Sequence, residues 1–152
     1  MLTVQKAIAR MPHTHDELSL TLLATWPELA RLKSAVALFA EQHHWSESDL
    51  FHVKLVLEEI IANVINHGSK GIQTASIQVH IHQQEQLLSI VVADTGLPFN
   101  PLQMQAPDIS AGIEDRQLGG LGVFMVREFT NSAAYEYLDG WNRLSLTKQL
   151  RF

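Results

Sequence analysis

The fold prediction starts from residues 57–68, which read LEEIIANVINHG. Residues 46–49, SESD, have the form of a helix start, and Gly68 is typical of a helix end. Between these ends, apolar side chains recur at the spacing of one helical face, at Val53, Val56, Leu57, Ile60, Ile61 and Val64. The sequence therefore predicts a long helix that runs through His67 and buries this face.

Other segments show strand or helix periodicity on both sides of this helix. Alternation predicts strands at 18–25, 77–82, 87–93, 133–138 and 143–150, and helical spacing predicts two further helices at 27–44 and 121–130. Neighbouring strands joined by short turns favour antiparallel pairing. We therefore expect an α/β (α+β) two-layer sandwich, with a mixed, largely antiparallel sheet and helices on one face.

The composition excludes several classes of protein. The chain has 152 residues and no cysteine, so we expect one domain at 18–152 after an arm at 1–17, without a disulfide, a zinc–thiolate site or a thiol nucleophile. The net charge is −5 and no basic run stands out, which argues against direct nucleic-acid binding. No stretch approaches the roughly 20 apolar residues of a membrane span, and no secretory signal is visible. We expect a cytoplasmic protein that does not bind membranes.

Two polar groups stand out beside the apolar segments. Glu59 and Asn63 are four residues apart and share one face of the long helix, where the amide can ligate Mg²⁺ and the carboxylate can orient a nucleophile. The alternative is an ordinary solvated helix face. Asp94 and Gly96 follow the strand at 87–93, where the carboxylate can accept an exocyclic amine and the glycine lets a planar ring approach. The alternative is a simple turn at the end of a strand.

A glycine-rich segment and several histidines are the remaining candidates. Residues 119–122, GGLG, open a predicted helix, and their backbone N–H groups can bind phosphates, although a flexible loop explains the glycines equally well. The histidine pairs His43–His44 and His80–His82 suggest a metal site. Solvated histidines are the commoner explanation, and no carboxylate stands at zinc spacing beside these pairs.

Three motifs occur here in an order that resembles the GHKL ATPase superfamily. They are 57–68 (LEEIIANVINHG), 94–101 (DTGLPFNP) and 119–126 (GGLGVFMV), followed by a tail at 139–147 (DGWNRLSLT). Within this superfamily the chain is most similar to the anti-sigma-factor serine kinases, which are small one-domain members. The resemblance covers about residues 18–150 and implies a Bergerat-type ATP-binding fold.

The resemblance also implies a role for individual residues. Asn63 would ligate Mg²⁺ and Glu59 would act as the base or orient water. Asp94 would bind the adenine amine, with Gly96 beneath the ring. The segment 101–118 would form the ATP lid, with Arg116 reaching the γ-phosphate, and the Ser145 hydroxyl would lie near the adenine. The remaining nucleotide contacts would come from the phosphate-binding segment, Gly119, Gly120, Leu121, Gly122 and Val123.

At the level of function, the resemblance implies a regulatory kinase. Such a protein would use Mg-ATP to phosphorylate a serine on a small STAS-type antagonist, would bind a sigma factor, and could form a homodimer. Phosphoryl transfer of this kind needs mainly positioning and charge neutralisation. The alternative is a nucleotide-binding interaction module without significant kinase activity. A complete sensor histidine kinase is excluded, because the sequence has no phosphoacceptor-histidine helix pair.

Overall fold

The computed structural model describes residues 16–68, 74–103 and 120–151. The helices are α1 (Trp26–Gln42), α2 (Glu47–Asn63) and α3 (Gly120–Phe129). The strands are β1 (Glu17–Leu23), β2 (Ser76–Gln84), β3 (Leu87–Asp94), β4 (Ser132–Leu138) and β5 (Trp141–Gln149). A π-helical turn, Val64–Gly68, follows α2, and a 3₁₀ turn, Pro101–Gln103, follows β3. The arm predicted at 1–17 lies almost wholly outside the described residues.

Within the described residues, the sheet has five strands in the order β1-β2-β3-β5-β4. The four pairings are antiparallel, which confirms the predicted fold class and makes this sheet wholly antiparallel. The turn between β4 and β5 has positive φ at Asp139 (53°) and Gly140 (85°), the backbone form that a two-residue hairpin turn with right-handed strand twist requires. The pairing of β5 with β3 places the start of β5 beside the end of β3.

One face of the sheet packs against the helices and forms the core. Buried and more exposed residues alternate along β2, β3 and β5, so every second side chain faces inward. The inward side chains form one apolar cluster with the buried faces of α1 and α2; its least exposed members include Leu32, Val36, Leu57, Ile61, Ile77, Ile81, Leu88 and Ile90. In the described part of the chain, none of the helices has the length and apolar character needed to cross a membrane.

The long helix begins as predicted and ends differently. The Ser46 hydroxyl accepts a hydrogen bond from the Asp49 backbone N–H at 3.0 Å, so it caps α2. The α-helical pattern stops at Asn63 and continues as the wider π turn rather than as an α-helix through His67. The carbonyl of Gly68 accepts the Leu97 N–H at 3.0 Å. A contact with the segment after β3 therefore holds the end of this turn.

Candidate functional site

A cavity opens where the end of α2, the end of β3 and the start of β5 meet. It encloses about 380 Å³ of empty space, including space open to solvent. Its lining is apolar except for a few polar side chains, the usual composition of a small-molecule site. The residues that line it are Ile60, Asn63, Val64, Gly68, Val92, Asp94, Leu97, Phe99, Pro101, Tyr135, Asn142 and Leu144.

Asp94 presents a buried carboxylate to this cavity. It is the last residue of β3 and is 8% exposed. Its Oδ1 accepts hydrogen bonds from the Gly96 N–H at 2.9 Å and from the Asn142 amide at 3.0 Å. Burial raises the pKa of the Asp94 carboxyl, and these two hydrogen bonds oppose the rise. Among the described residues no hydrogen bond reaches Oδ2, which leaves this oxygen available to a donor in the cavity.

Gly96 and Gly68 pack backbone against backbone beside Asp94. A Cβ built on Gly96 would lie 2.8 Å from the Cα of Gly68 and 2.9 Å from Oδ1 of Asp94. A Cβ on Gly68 would meet its neighbours at 3.4 Å or more, which is ordinary contact. Only a residue without a side chain fits at position 96, because a Cβ there would collide with Gly68 and Asp94. Gly68 lines the cavity, whereas Gly96 is not among the lining residues.

Asn63 lines the same cavity from the end of α2, one helical turn after Glu59. It is 8% exposed, and within the described ranges its side chain makes no hydrogen bond. This amide faces the cavity, and its oxygen is a suitable ligand for a hard cation. The chemistry of the Asn63 side chain therefore fits a divalent cation such as Mg²⁺.

Glu59 does not line the cavity and is only partly buried. Burial, and then repulsion from Glu58, raises the pKa of its carboxyl, which makes the carboxylate a better proton acceptor. Glu59 and Asn63 lie one turn apart on α2, as predicted, but only Asn63 is among the residues that line the cavity.

Asn142 is a site residue that the sequence analysis missed. It is 5% exposed and pairs directly across from Asp94 in the β3–β5 register. Its amide nitrogen contacts Asp94 Oδ1 and the carbonyls of Gly96 and Leu97 at 3.0 to 3.2 Å. The available signal was a polar residue in register with the inward-facing Leu144 and Leu146.

Ser145 does not lie where the resemblance implied. Asn142 and Leu144 face the cavity, and Leu144 and Leu146 are buried, so Ser145 between them points to the opposite face of the sheet, where it is only partly buried. The prediction of a cavity hydroxyl at Ser145 is therefore corrected. The physical reason is the two-residue period of a strand, which the Leu-Ser-Leu pattern already contained.

Part of the predicted phosphate-binding region lies outside the described residues. Arg116, Gly119 and most of the predicted lid at 101–118 fall there, and only Pro101–Gln103 is seen as a 3₁₀ turn. The backbone of Gly120, Leu121, Gly122 and Val123 forms the first turn of α3, so the helix begins within the glycine-rich motif. The roles assigned to these residues stay predictions.

Three of the histidines contact neighbouring side chains. His67 stacks on Phe99 beside the cavity, with ring centroids 5.3 Å apart. His80 shares a hydrogen bond with the Ser19 hydroxyl at 2.7 Å, and His82 lies 3.4 Å from a Glu17 carboxylate oxygen. Over the ranges that the structure describes, no three His, Cys, Asp or Glu side chains come together as a metal site.

Comparison with protein families and curated sequences gives a consistent result. Residues 23–148 match the histidine kinase-like ATPase domain. The chain is 31% identical over 108 residues to the serine/threonine-protein kinase BtrW of Bordetella bronchiseptica, an alignment that covers 71% of this chain and 76% of that protein. It is also 26% identical over 135 residues to the serine-protein kinase RsbW of Listeria innocua, covering 86% of this chain and 85% of that one.

Two solved structures share the fold. The first contains the RsbU and RsbW domains of Rv1364c from Mycobacterium tuberculosis, with a TM-score of 0.65 and 17% identity. The match covers 88% of this chain and only 32% of that longer one, so this chain spans about a third of it. The second is the SiaB–SiaC complex from Pseudomonas aeruginosa, with a TM-score of 0.61, 18% identity, and coverage of 97% of this chain and 96% of that chain.

Proposed function

Because the chain belongs to the histidine kinase-like ATPase family, we propose that it binds Mg-ATP and transfers phosphate to a serine or threonine of a protein partner. The partner is a STAS-type antagonist, and the chain also binds a sigma factor as an anti-sigma regulatory factor. The relatives named serine/threonine-protein kinase and serine-protein kinase support the activity. The resemblance of the three motifs to anti-sigma-factor kinases supports the choice of partners and a homodimer in the cytoplasm.

One observation carries the proposal: two largely buried polar side chains, one from a helix and one from a strand, line the same cavity. Among the described residues, no hydrogen bond reaches Oδ2 of Asp94 on β3, and none reaches the side-chain amide of Asn63 on α2. Both side chains line the same cavity, so both can reach a ligand bound there. A purine nucleotide matches both, because its base carries an amino group for Asp94 and its phosphates carry a cation for Asn63.

We assign the roles as follows. Asp94 accepts the amine of the base, and Gly96, which packs against Gly68 because it has no side chain, lies beneath the ring. Asn63 ligates Mg²⁺ through its amide oxygen. When bound, Mg-ATP supplies the phosphoryl group that is transferred. Glu59 takes the proton of the acceptor hydroxyl, and its raised pKa favours that role.

The phosphate contacts in this proposal rest on the sequence motif. Backbone N–H groups at the start of α3, from Gly120 to Val123, together with Gly119 before it, bind the phosphates. Arg116 reaches the γ-phosphate and compensates its charge. These assignments are part of the proposal.

The test separates chemistry from binding with Glu59→Gln. Purified chain, labelled Mg-ATP and STAS-type proteins of the same organism are mixed, and phosphoserine or phosphothreonine is identified by mass spectrometry. Loss of a general base lowers a rate by about 10²- to 10⁴-fold, so the variant should lose phosphoryl transfer and keep its ADP affinity. The control is Glu47→Gln, an exposed glutamate at the start of the same helix. Unchanged transfer by Glu59→Gln would overturn the role of Glu59.

A second function has one observation in its favour, because Glu59 does not line the cavity. In this alternative, the chain is a nucleotide-binding interaction module without significant kinase activity. ATP binding by the wild type, together with no phosphorylation of any STAS-type protein offered, is the result that selects it.

A further inference from the structure

Asn142 makes more contacts at the cavity than a packing role requires. On one side of its amide, the nitrogen faces three oxygens, Asp94 Oδ1 at 3.0 Å, the Gly96 carbonyl at 3.2 Å and the Leu97 carbonyl at 3.0 Å. On the other side, the oxygen accepts the Phe99 N–H at 3.0 Å and the Tyr135 hydroxyl. With acceptors on one side and donors on the other, one orientation of the amide is favoured, and its two N–H groups are shared among the three oxygens.

These contacts act on Asp94 in a way that distinguishes its two oxygens. Oδ1 already accepts two hydrogen bonds, from the Gly96 N–H and from Asn142, and it is the oxygen that lies against Gly96. In the described part of the chain, Oδ2 accepts none. The carboxylate is therefore held in one rotamer and presents a single acceptor to the cavity.

Asn142 also holds the segment that follows Asp94. Its bonds to the carbonyls of Gly96 and Leu97 and to the N–H of Phe99 join three residues of this segment to β5. Phe99 and Leu97 both line the cavity. Through Tyr135 the same amide is joined to β4, so one side chain sets the position of one cavity wall relative to two strands.

We propose that Asn142 is the positioning residue that makes this cavity selective for a base with an amino group. Asn142 occupies Oδ1 of Asp94 and fixes the wall formed by Leu97 and Phe99. Oδ2 is then the one acceptor that faces the exocyclic group of the base. A base with a carbonyl at that position places oxygen against oxygen, which is repulsive. This inference rests on the proposed nucleotide-binding function.

The experiment compares ADP with inosine diphosphate, which carries a carbonyl in place of the amino group, by calorimetry from pH 5 to 8. The wild type should bind ADP more tightly than inosine diphosphate. In Asn142→Ala, ADP affinity should fall about tenfold to hundredfold, the range for lost bonds to a charged group, and the ratio of the two affinities should move towards one. As the pH falls, ADP affinity should begin to decrease at a higher pH in the variant than in the wild type. The reason is that the Asn142 hydrogen bond lowers the pKa of Asp94, and the variant lacks this bond.

The control is Arg143→Ala, the exposed neighbour on the other face of β5, which should change none of these quantities. If Asn142→Ala does not fold, Asn142→Ser replaces it, since its smaller side chain admits water to the freed groups, and the same shifts are expected. The inference is overturned if a folded variant keeps the wild-type ratio of ADP to inosine diphosphate affinity and the wild-type pH dependence of ADP binding. A wild type that binds neither nucleotide overturns the proposed function instead.

Discussion

Asp94 is a residue whose charge opposes folding and favours the proposed binding. Its raised pKa means that folding disfavours the ionised form relative to the unfolded chain, so the contribution of this group to stability is lost as the pH rises through its folded pKa. At neutral pH the ionised carboxylate is therefore a local cost to the fold. The same desolvation strengthens its hydrogen bond to a donor in the cavity.

These two effects predict opposite outcomes for Asp94→Asn. ADP binding should weaken by about 1–3 kcal/mol, because a neutral oxygen replaces the charged acceptor. The melting temperature of the nucleotide-free protein at pH 7 should stay the same or rise, because the buried charge is gone. Calorimetric titration and thermal unfolding measure the two quantities. The control is Asp139→Asn in the exposed β4–β5 turn, where Asn tolerates the positive φ. Unchanged ADP affinity in Asp94→Asn would contradict the assignment of the adenine site.

At the scale of elements, the site depends on how two chain segments meet. The π turn after α2 brings Gly68 against Gly96, and the carbonyl of Gly68 accepts the Leu97 N–H. An additional residue in a helical turn is a frequent feature of functional sites. The contact joins the helix that carries Asn63 to the segment that follows Asp94, so it sets the distance between the two sides of the cavity.

This contact predicts different effects for two alanine substitutions. Gly96→Ala places a Cβ within 2.9 Å of the Gly68 backbone, which must shift, so the free energy of unfolding should fall by about 1–3 kcal/mol and ADP binding should weaken. Gly68→Ala is the matched control for stability, because its Cβ meets only ordinary contacts. Urea unfolding measures both variants, and ADP titration measures Gly96→Ala alone, since Gly68 lines the cavity. Equal losses of unfolding free energy in the two variants would show that the close approach at Gly96 does not matter.

At the scale of the whole molecule, a second polar cluster joins three elements at the opposite end of α2. Asp49 is 2% exposed and lies 3.7 Å from the ammonium of Lys148, which is 8% exposed. Lys148 also donates to the Phe129 carbonyl at the end of α3, and Asp49 accepts the Arg151 N–H at 2.8 Å. Burial lowers the pKa of Lys148, and Asp49 opposes this. The pair therefore holds the start of α2 and the end of α3 to β5.

Removing one partner of this pair should destabilise the protein more than removing both. Asp49→Ala leaves a buried ammonium without its counter-ion, so the free energy of unfolding should fall by roughly 3–5 kcal/mol. In the double variant Asp49→Ala with Lys148→Met, part of this loss should return, because no unpaired charge remains. Denaturant unfolding of the two single variants and the double variant measures the coupling. Strictly additive losses would contradict it, and ADP affinity should change little because the cavity lies at the other end of the helix.

The sequence by itself determined the class of fold and half of the cavity. Helical and strand periods are local properties, so α2, the β3 strand, its terminal Asp94 and the glycine at 96 were all predictable. Asn63 followed from its position on one helical face. Even the outward direction of Ser145 was contained in the alternation of its neighbours, although the resemblance to known kinases suggested otherwise.

Only the tertiary structure decided which residues meet. That Asn142 lies opposite Asp94 depends on the register of β5 against β3, and a shift of one residue would turn its side chain to the other face. The contact of Gly68 with Gly96, and the position of Glu59 outside the cavity lining, likewise depend on how the end of α2 packs against the sheet. Register and packing are set by contacts between residues far apart in the chain, and local periodicity carries no information about them.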